Sequence, residues 1–112
     1  MKTSARNTFT GTVSNIRPGA VNDEIGIALA GGRSIHAIIT SGSAKALDLR
    51  VGCEVFALVK SSSVILVVEE GAARFSARNC LQGRITRLET GAVNTEVVLD
   101  SGGLALAAVI TN

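Results

Sequence analysis

The sequence predicts an all-β fold: a small five-stranded Greek-key barrel with one short helix, followed in tandem by an incomplete copy of itself. Three observations predict it. Apolar residues alternate with other residues over short runs, the period of half-buried strands. Twelve glycines stand against a single proline, which supplies tight turns and favours short strands over long helices. The chain also repeats its own motifs at one long offset, the mark of a duplicated small domain and not of a solenoid unit.

The elements follow in order. Phe9, Gly11 and Val13 lead into the first strand, and Ile25, Ile27 and Leu29 share a face of the second. Gly31-Gly32 makes the hairpin turn, because glycine reaches the positive φ of two-residue turns without steric cost. Ile35, Ala37 and Ile39 share a face of the third strand. The period then changes. Ser43, Ala44, Ala46, Leu47 and Leu49 read as a short helix, with Ser41 or Ser43 placed to cap it and Val51-Gly52 to end it. Val55, Ala57 and Val59 give a fourth strand, and Val64, Leu66 and Val68 a fifth. This order is that of an OB-like barrel, and by itself it implies no function.

The repeat sets the organisation. Ser4-Ala5-Arg6-Asn7 returns as Ser76-Ala77-Arg78-Asn79, Gly11 as Gly83, and Gly19-Ala20-Val21-Asn22 with Glu24 as Gly91-Ala92-Val93-Asn94 with Glu96, all at an offset of 72 residues. After a one-residue deletion, Gly31-Gly32 matches Gly102-Gly103 and Ile38-Ile39-Thr40 matches Val109-Ile110-Thr111. The first unit spans residues 2–68, a linker 69–73, and a truncated second unit 74–112. The second unit repeats only three strands, at residues 81–88, 96–99 and 104–111. Three strands cannot close a barrel, so open edges are expected to drive oligomerisation or strand exchange.

Composition narrows the function classes. A formal charge of +2, dispersed along the chain, announces neither a nucleic-acid nor a membrane partner, though it leaves the chain receptive to anions. Three Phe with no Trp or Tyr offer little to stack nucleic-acid bases on. Cys53 and Cys80 are far apart and near no second ligand, which fits buried thiols in a reducing compartment better than zinc or a disulfide scaffold. No run has signal-peptide or membrane-span character, so a cytoplasmic protein is expected. His36 is the single histidine, mid-strand and beside no marked nucleophile, and the carboxylates form no acid/base couple. Glu24 and Glu96 recur beside turns, where a structural role suffices. The expectation is no enzyme.

Donors are the positive signal. Ser4, Arg6, Thr40, Ser43, Lys60 and Ser61 offer hydroxyls, a guanidinium and an ammonium, with no acidic residue in their immediate runs. A fully ionised tetrahedral oxyanion has only acceptor oxygens and needs donors alone. Phosphate keeps a proton near neutral pH and wants an acceptor as well, so such a set leans towards molybdate, tungstate or sulfate. As plain chemistry, these residues also suit ordinary caps and solvated side chains.

The motifs decide further. Ser4-Ala5-Arg6-Asn7, Gly11, residues 19–22 with Glu24, Gly31-Gly32, Ile38-Ile39-Thr40, Ser43, Leu47, Leu49, Gly52, Val55, Lys60-Ser61-Ser62-Ser63 and Val64 together resemble the Mop (molbindin, TOBE-type) family, and the resemblance resumes from Ser76 to Thr111. It implies molybdate or tungstate held as an oxyanion at module interfaces in a closed trimer- or hexamer-like ring. Ser4 and Arg6 would come from one module, and Thr40, Ser43, Lys60 and Ser61 from a neighbour. Ser76, Arg78 and Thr111 are the second-copy counterparts. Gly19, Ala20, Val21 and Asn22, with Gly91, Ala92, Val93 and Asn94, resemble a second class of site near the oligomer axis, although they also suit a plain turn. The implied role is molybdenum storage or homeostasis. A sensing module detached from a larger regulator or transporter, an OB-type nucleic-acid-binding domain and a bare assembly module are the competing readings.

Overall fold

The computed structural model describes residues 7–67 and 79–112. The alternating runs form two antiparallel sheets. The first contains β1 (Asn7–Arg17), β2 (Asn22–Ala28), β3 (Ser34–Thr40) and β4 (Glu54–Val59), in the order β3-β2-β1-β4. Three strands meander and the fourth returns to lie beside the first, which is the Greek-key arrangement of an OB-like fold. The second sheet contains β5 (Arg84–Thr90), β6 (Asn94–Ser101) and β7 (Leu104–Thr111), the counterparts of β1, β2 and β3.

The long strand β1 serves two neighbours. Its first half, residues 7–12, pairs with β4, and its second half pairs with β2. The β1–β2 register shifts between Val13 and Asn15, and the β5–β6 register shifts at the matching place, between Ile85 and Arg87. Such bulges add twist and let a sheet curl over its own core. Gly11 stands where β1 crosses closest to β2: a Cβ there would lie 2.6 Å from Ile27 Cγ2 and 2.7 Å from the Ala28 carbonyl oxygen. Its counterpart Gly83 is crowded in the same way, with Asp100 O at 2.5 Å. The recurrence of this glycine is therefore a matter of space.

The core holds the residues whose alternation predicted it. Phe9, Val13, Ile25, Ile27, Leu29 and Ile35 are buried in one cluster, with Val55, Ala57 and Val59 of β4 half-buried against it. Leu104 and Leu106 of β7 pack onto the same cluster, so the second unit helps to cover the first.

Two expectations need correction. Residues 64–67 join no ladder among the described residues, although Val64 and Leu66 are half-buried while Ile65 and Val67 are exposed. Alternation records which side chains face the core, whereas a strand also needs a neighbouring edge to bond. Val68 lies outside the described residues. The helix α1 (Ser41–Ala46) is capped by Thr40, not by Ser41 or Ser43. Thr40 is extended (φ −66°, ψ 148°), and its Oγ1 accepts the Ser43 amide at 3.1 Å. The helix ends at Ala46, and Asp48 then takes the left-handed region at φ 52°, which places Leu49, Val51 and Gly52 in the connection to β4.

The two units meet around an approximate two-fold relation. Asn7 Nδ2 donates to Ala107 O at 2.8 Å, and Ala107 N donates to Asn7 Oδ1 at 2.7 Å. Asn79 Nδ2 donates to His36 O at 2.8 Å, and His36 N donates to Asn79 Oδ1 at 2.6 Å. Asn79 is the repeat of Asn7, and Ala107 the repeat of His36. Each unit thus grips the third strand of the other with the same amide, a two-point match to one residue's backbone. The hairpin glycines Gly31 and Gly102, also counterparts, face one another across the same relation: a Cβ on Gly31 would lie 2.3 Å from Gly102 O. Both have positive φ, at 73° and 59°.

Candidate functional site

One group of candidate residues gathers where β3 runs into α1. Thr40 pairs with Asn22 across the β2–β3 ladder, which brings the turn at residues 19–22 beside the helix start. Ser41 N donates to Val21 O at 2.8 Å. Thr40 Oγ1 donates to Ser43 Oγ at 2.7 Å while accepting the Ser43 amide, so the Ser43 hydroxyl proton is directed to another acceptor. Both side chains are exposed. The structure therefore joins two sets of residues that lie far apart in the chain, Thr40 with Ser43 and Gly19, Ala20, Val21 and Asn22.

Asp23 belongs to this group and sequence reasoning missed it. Its buried carboxylate accepts Ser41 Oγ at 2.6 Å and Gly19 N at 3.3 Å. The donor set is free of acidic residues only along the chain; β-pairing supplies one from β2. The carboxylate is engaged by the turn and the helix start, where it fixes one against the other.

The second unit repeats the arrangement with different atoms. Thr111 pairs with Asn94, and Asn112 N donates to Val93 O at 2.9 Å, matching Ser41 N on Val21. The Asp23–Ser41 pair becomes Thr95 with Asn112, whose side chains are hydrogen-bonded to each other. Asn112 Nδ2 also donates to Gly91 O at 2.9 Å, and Gly91 N to Asn94 O at 2.8 Å. The turn at residues 91–94 is thus held without a carboxylate. Val21 and Val93 sit exposed at the two turns.

Lys60 and Ser61 lie elsewhere. They follow Val59, which pairs with Asn7 at the start of β1, whereas Thr40 and residues 19–22 lie beyond its other end. Eleven residues separate those ends, roughly 30 Å at about 3.3 Å per residue. Within the first module, Lys60 and Ser61 thus follow the residue paired with the start of β1, and Thr40 with Ser43 lies beyond its end. Lys60 is exposed and opens a 3-10 turn, Ser61–Ser63, in which Ser61 is buried; this turn packs against β7 of the second unit. Among the described residues Lys60 has no carboxylate within ion-pair distance.

Ser4, Arg6, Ser76 and Arg78 lie outside the described residues, as does the linker at residues 69–73. The asparagines that follow those two motifs are described, and they are the clamps between the units. Their recurrence at the offset of 72 residues was the one signal of that role. His36 Nδ1 lies 3.7 Å from Glu24 Oε1, and among the described residues no hydroxyl or thiol is hydrogen-bonded to the ring. No group of three or more His, Cys, Asp or Glu among the described residues could hold a metal ion. No described helix is long and apolar enough to cross a membrane. The described groups can donate to an anion.

Comparison with known proteins places this geometry. The TOBE domain matches residues 3–66 and 76–112. The chain belongs to the TOBE-domain family. Among TOBE relatives, the molybdenum transport protein ModE of Herbaspirillum seropedicae is 43% identical over 113 residues, which cover all of this chain and 42% of the relative. The molybdenum-pterin-binding protein MopA of Rhodobacter capsulatus is 45% identical over 113 residues, again all of this chain and 43% of the relative. This TOBE chain spans less than half the length of either. Among solved structures, the cytoplasmic molybdate-binding protein ModG, with molybdate bound, superposes with a TM-score of 0.94 at 47% identity, over all of this chain and 80% of that one. MopII from Clostridium pasteurianum superposes with a TM-score of 0.57 at 36% identity, over 60% of this chain and all of that one.

Proposed function

We propose that this TOBE chain binds molybdate or tungstate as an oxyanion, in the cytoplasm, for storage or homeostasis of molybdenum, and that it is a binding protein and not an enzyme. The observation that carries the reading is the superposition on molybdate-bound ModG along the whole chain. The chemistry agrees with it, since hydroxyls and an ammonium supply donors to an ion that only accepts.

The structure favours sites at the junction of the repeats. Lys60 and Ser61, on the turn that packs against β7, would act with Thr111 at the end of that strand and with Ser4 and Arg6. Thr40 and Ser43, at the end of the strand that Asn79 grips, would act with Ser76 and Arg78 just ahead of that asparagine. The first set has a lysine and the second does not, so the two differ in strength. The turns at residues 19–22 and 91–94 would line further anion positions where copies of the chain meet in a trimer- or hexamer-like ring. The units 2–68 and 74–112 are the modules of this reading.

Equilibrium titration with molybdate, repeated in a large excess of sulfate and of phosphate, tests the proposal. Saturable binding that survives both competitors is the expected result. Absence of binding in every condition would leave an assembly module. A second reading is favoured by coverage: the chain matches only 42% of a ModE relative, which suits a sensing module within a longer protein. Both readings share the same ligand.

A further inference from the structure

The two units hold the same turn by different means, and the difference is one charge. In the first, Asp23 Oδ1 accepts Ser41 Oγ at 2.6 Å and Gly19 N at 3.3 Å, which ties the turn at residues 19–22 to the start of α1. In the second, the counterpart of Asp23 is Thr95, whose hydroxyl is bonded to the Asn112 side chain, and Asn112 Nδ2 donates to Gly91 O at 2.9 Å. Both ladders keep the same pairing here, Asn22 opposite Thr40 and Asn94 opposite Thr111. Neutral side chains thus suffice to fasten the turn, and the architecture does not require the charge of Asp23. That charge is also sheltered, since Asp23 is 9% exposed. Among the described residues no cation lies within ion-pair distance of it. A carboxylate whose charge is not compensated acts over distance on any anion that comes near.

Given the oxyanion-binding reading above, on which this rests, we propose that Asp23 is the affinity-setting residue of the anion site at Thr40 and Ser43, and that its charge holds that site weak towards dianions. Geometry puts the carboxylate beside the site. Asp23 follows Asn22, the ladder partner of Thr40, and its hydrogen-bond partner Ser41 lies between Thr40 and Ser43 in the chain. An anion on those two hydroxyls stands roughly 7 Å from the carboxylate, two Cα spacings of about 3.8 Å. The repulsion scales with the charge of the ligand, so molybdate, tungstate and sulfate are penalised twice as heavily as a monoanion of the same shape. The set that contains Lys60 has an added cation, and this set has an added anion. One chain therefore carries a strong and a weak class of site, which fill at separate ligand concentrations.

The test compares the full chain with Asp23→Asn, which removes the charge and keeps an oxygen to accept both hydrogen bonds. Equilibrium titration with molybdate should show the weak class tightened about tenfold and the strong class unchanged. Perrhenate, a tetrahedral monoanion, should gain only about threefold, the square root of that factor, because its charge is half as large. Ser41→Ala, which loosens the same turn without changing any charge, should give no gain for either ion. Adding Thr40→Val to Asp23→Asn should abolish the gain and so locate it at this site. An unchanged weak class, equal gains for the two ions, a gain that Ser41→Ala reproduces, or one that survives Thr40→Val would each overturn the proposal while leaving oxyanion binding intact. Absence of molybdate binding in the wild-type chain and in Asp23→Asn alike would instead sink the binding reading, and this proposal with it.

Discussion

Asn7 and Asn79 do the same work at opposite ends of one interface, yet their surroundings differ. Asn7 is 2% exposed, and Asn79 is open to solvent. Removing a buried partner leaves a donor and an acceptor unsatisfied, at about 1–3 kcal/mol each, whereas water takes over at an exposed site. Asn7→Ala should therefore lower the unfolding free energy by about 2–5 kcal/mol in urea titration, and Asn79→Ala by less than half as much. Equal losses would mean that the two clamps are equally buried in solution. Both asparagines were visible in the sequence as members of a repeated motif, but recurrence carries no direction. What they grip, the backbone of His36 and Ala107, is set by how the units dock, and no local pattern encodes that. Asp23 was hidden for a related reason, since its partners Ser41 and Gly19 reach it by strand pairing and turn closure. Lys60 was legible as a charge and as a family position. Lys60→Met should weaken molybdate binding at its site about 10- to 150-fold, the value of a hydrogen bond from a charged donor, with thermal stability of the unliganded chain nearly unchanged.

The strands were legible wherever alternation coincides with pairing. Ile25 and Ile27 of β2 and Leu29 just after it keep one alternation and are buried, and the two-glycine turn follows from positive φ. Residues 64–67 keep the alternation without the ladder, which is why a fifth strand was expected there. The cap of α1 was expected at Ser41 or Ser43 and falls at Thr40 because Thr40 serves both β3 and the helix. Equal sequence positions also have unequal energetic weight. Val13→Ala should cost about 1.5–3 kcal/mol, since the side chain is buried in the first core. Ile85→Ala, the larger truncation at the matching place, should stay within about 0.5 kcal/mol because half of that side chain is already in water. Urea titration of both variants reads the difference directly. A costly Ile85→Ala would show that something covers β5 in solution. Gly11→Ala should cost about 1–3 kcal/mol by forcing β1 away from Ile27 and the Ala28 carbonyl.

At the scale of the molecule, the separation of the candidate residues decides how the sites can couple. Thr40 and Ser43 lie beyond one end of β1 and Lys60 and Ser61 at the other, with up to roughly 30 Å of strand between them, more than a single tetrahedral anion spans. The turn that carries Lys60 and Ser61 packs instead on β7, which ends in Thr111. Substitutions that touch one ligand are non-additive, whereas those at separate sites add. A double-mutant cycle on molybdate affinity should therefore couple Lys60→Met with Thr111→Val. In that pair the second change should cost much less once the first has emptied the site. Lys60→Met combined with Thr40→Val should instead weaken two classes of site independently, with no coupling beyond about 0.5 kcal/mol. If Thr40 couples to Lys60 and Thr111 does not, the anion is held between separate copies of the chain, each giving one end of its sheet. The repeat junction would then be only the scaffold that spaces them.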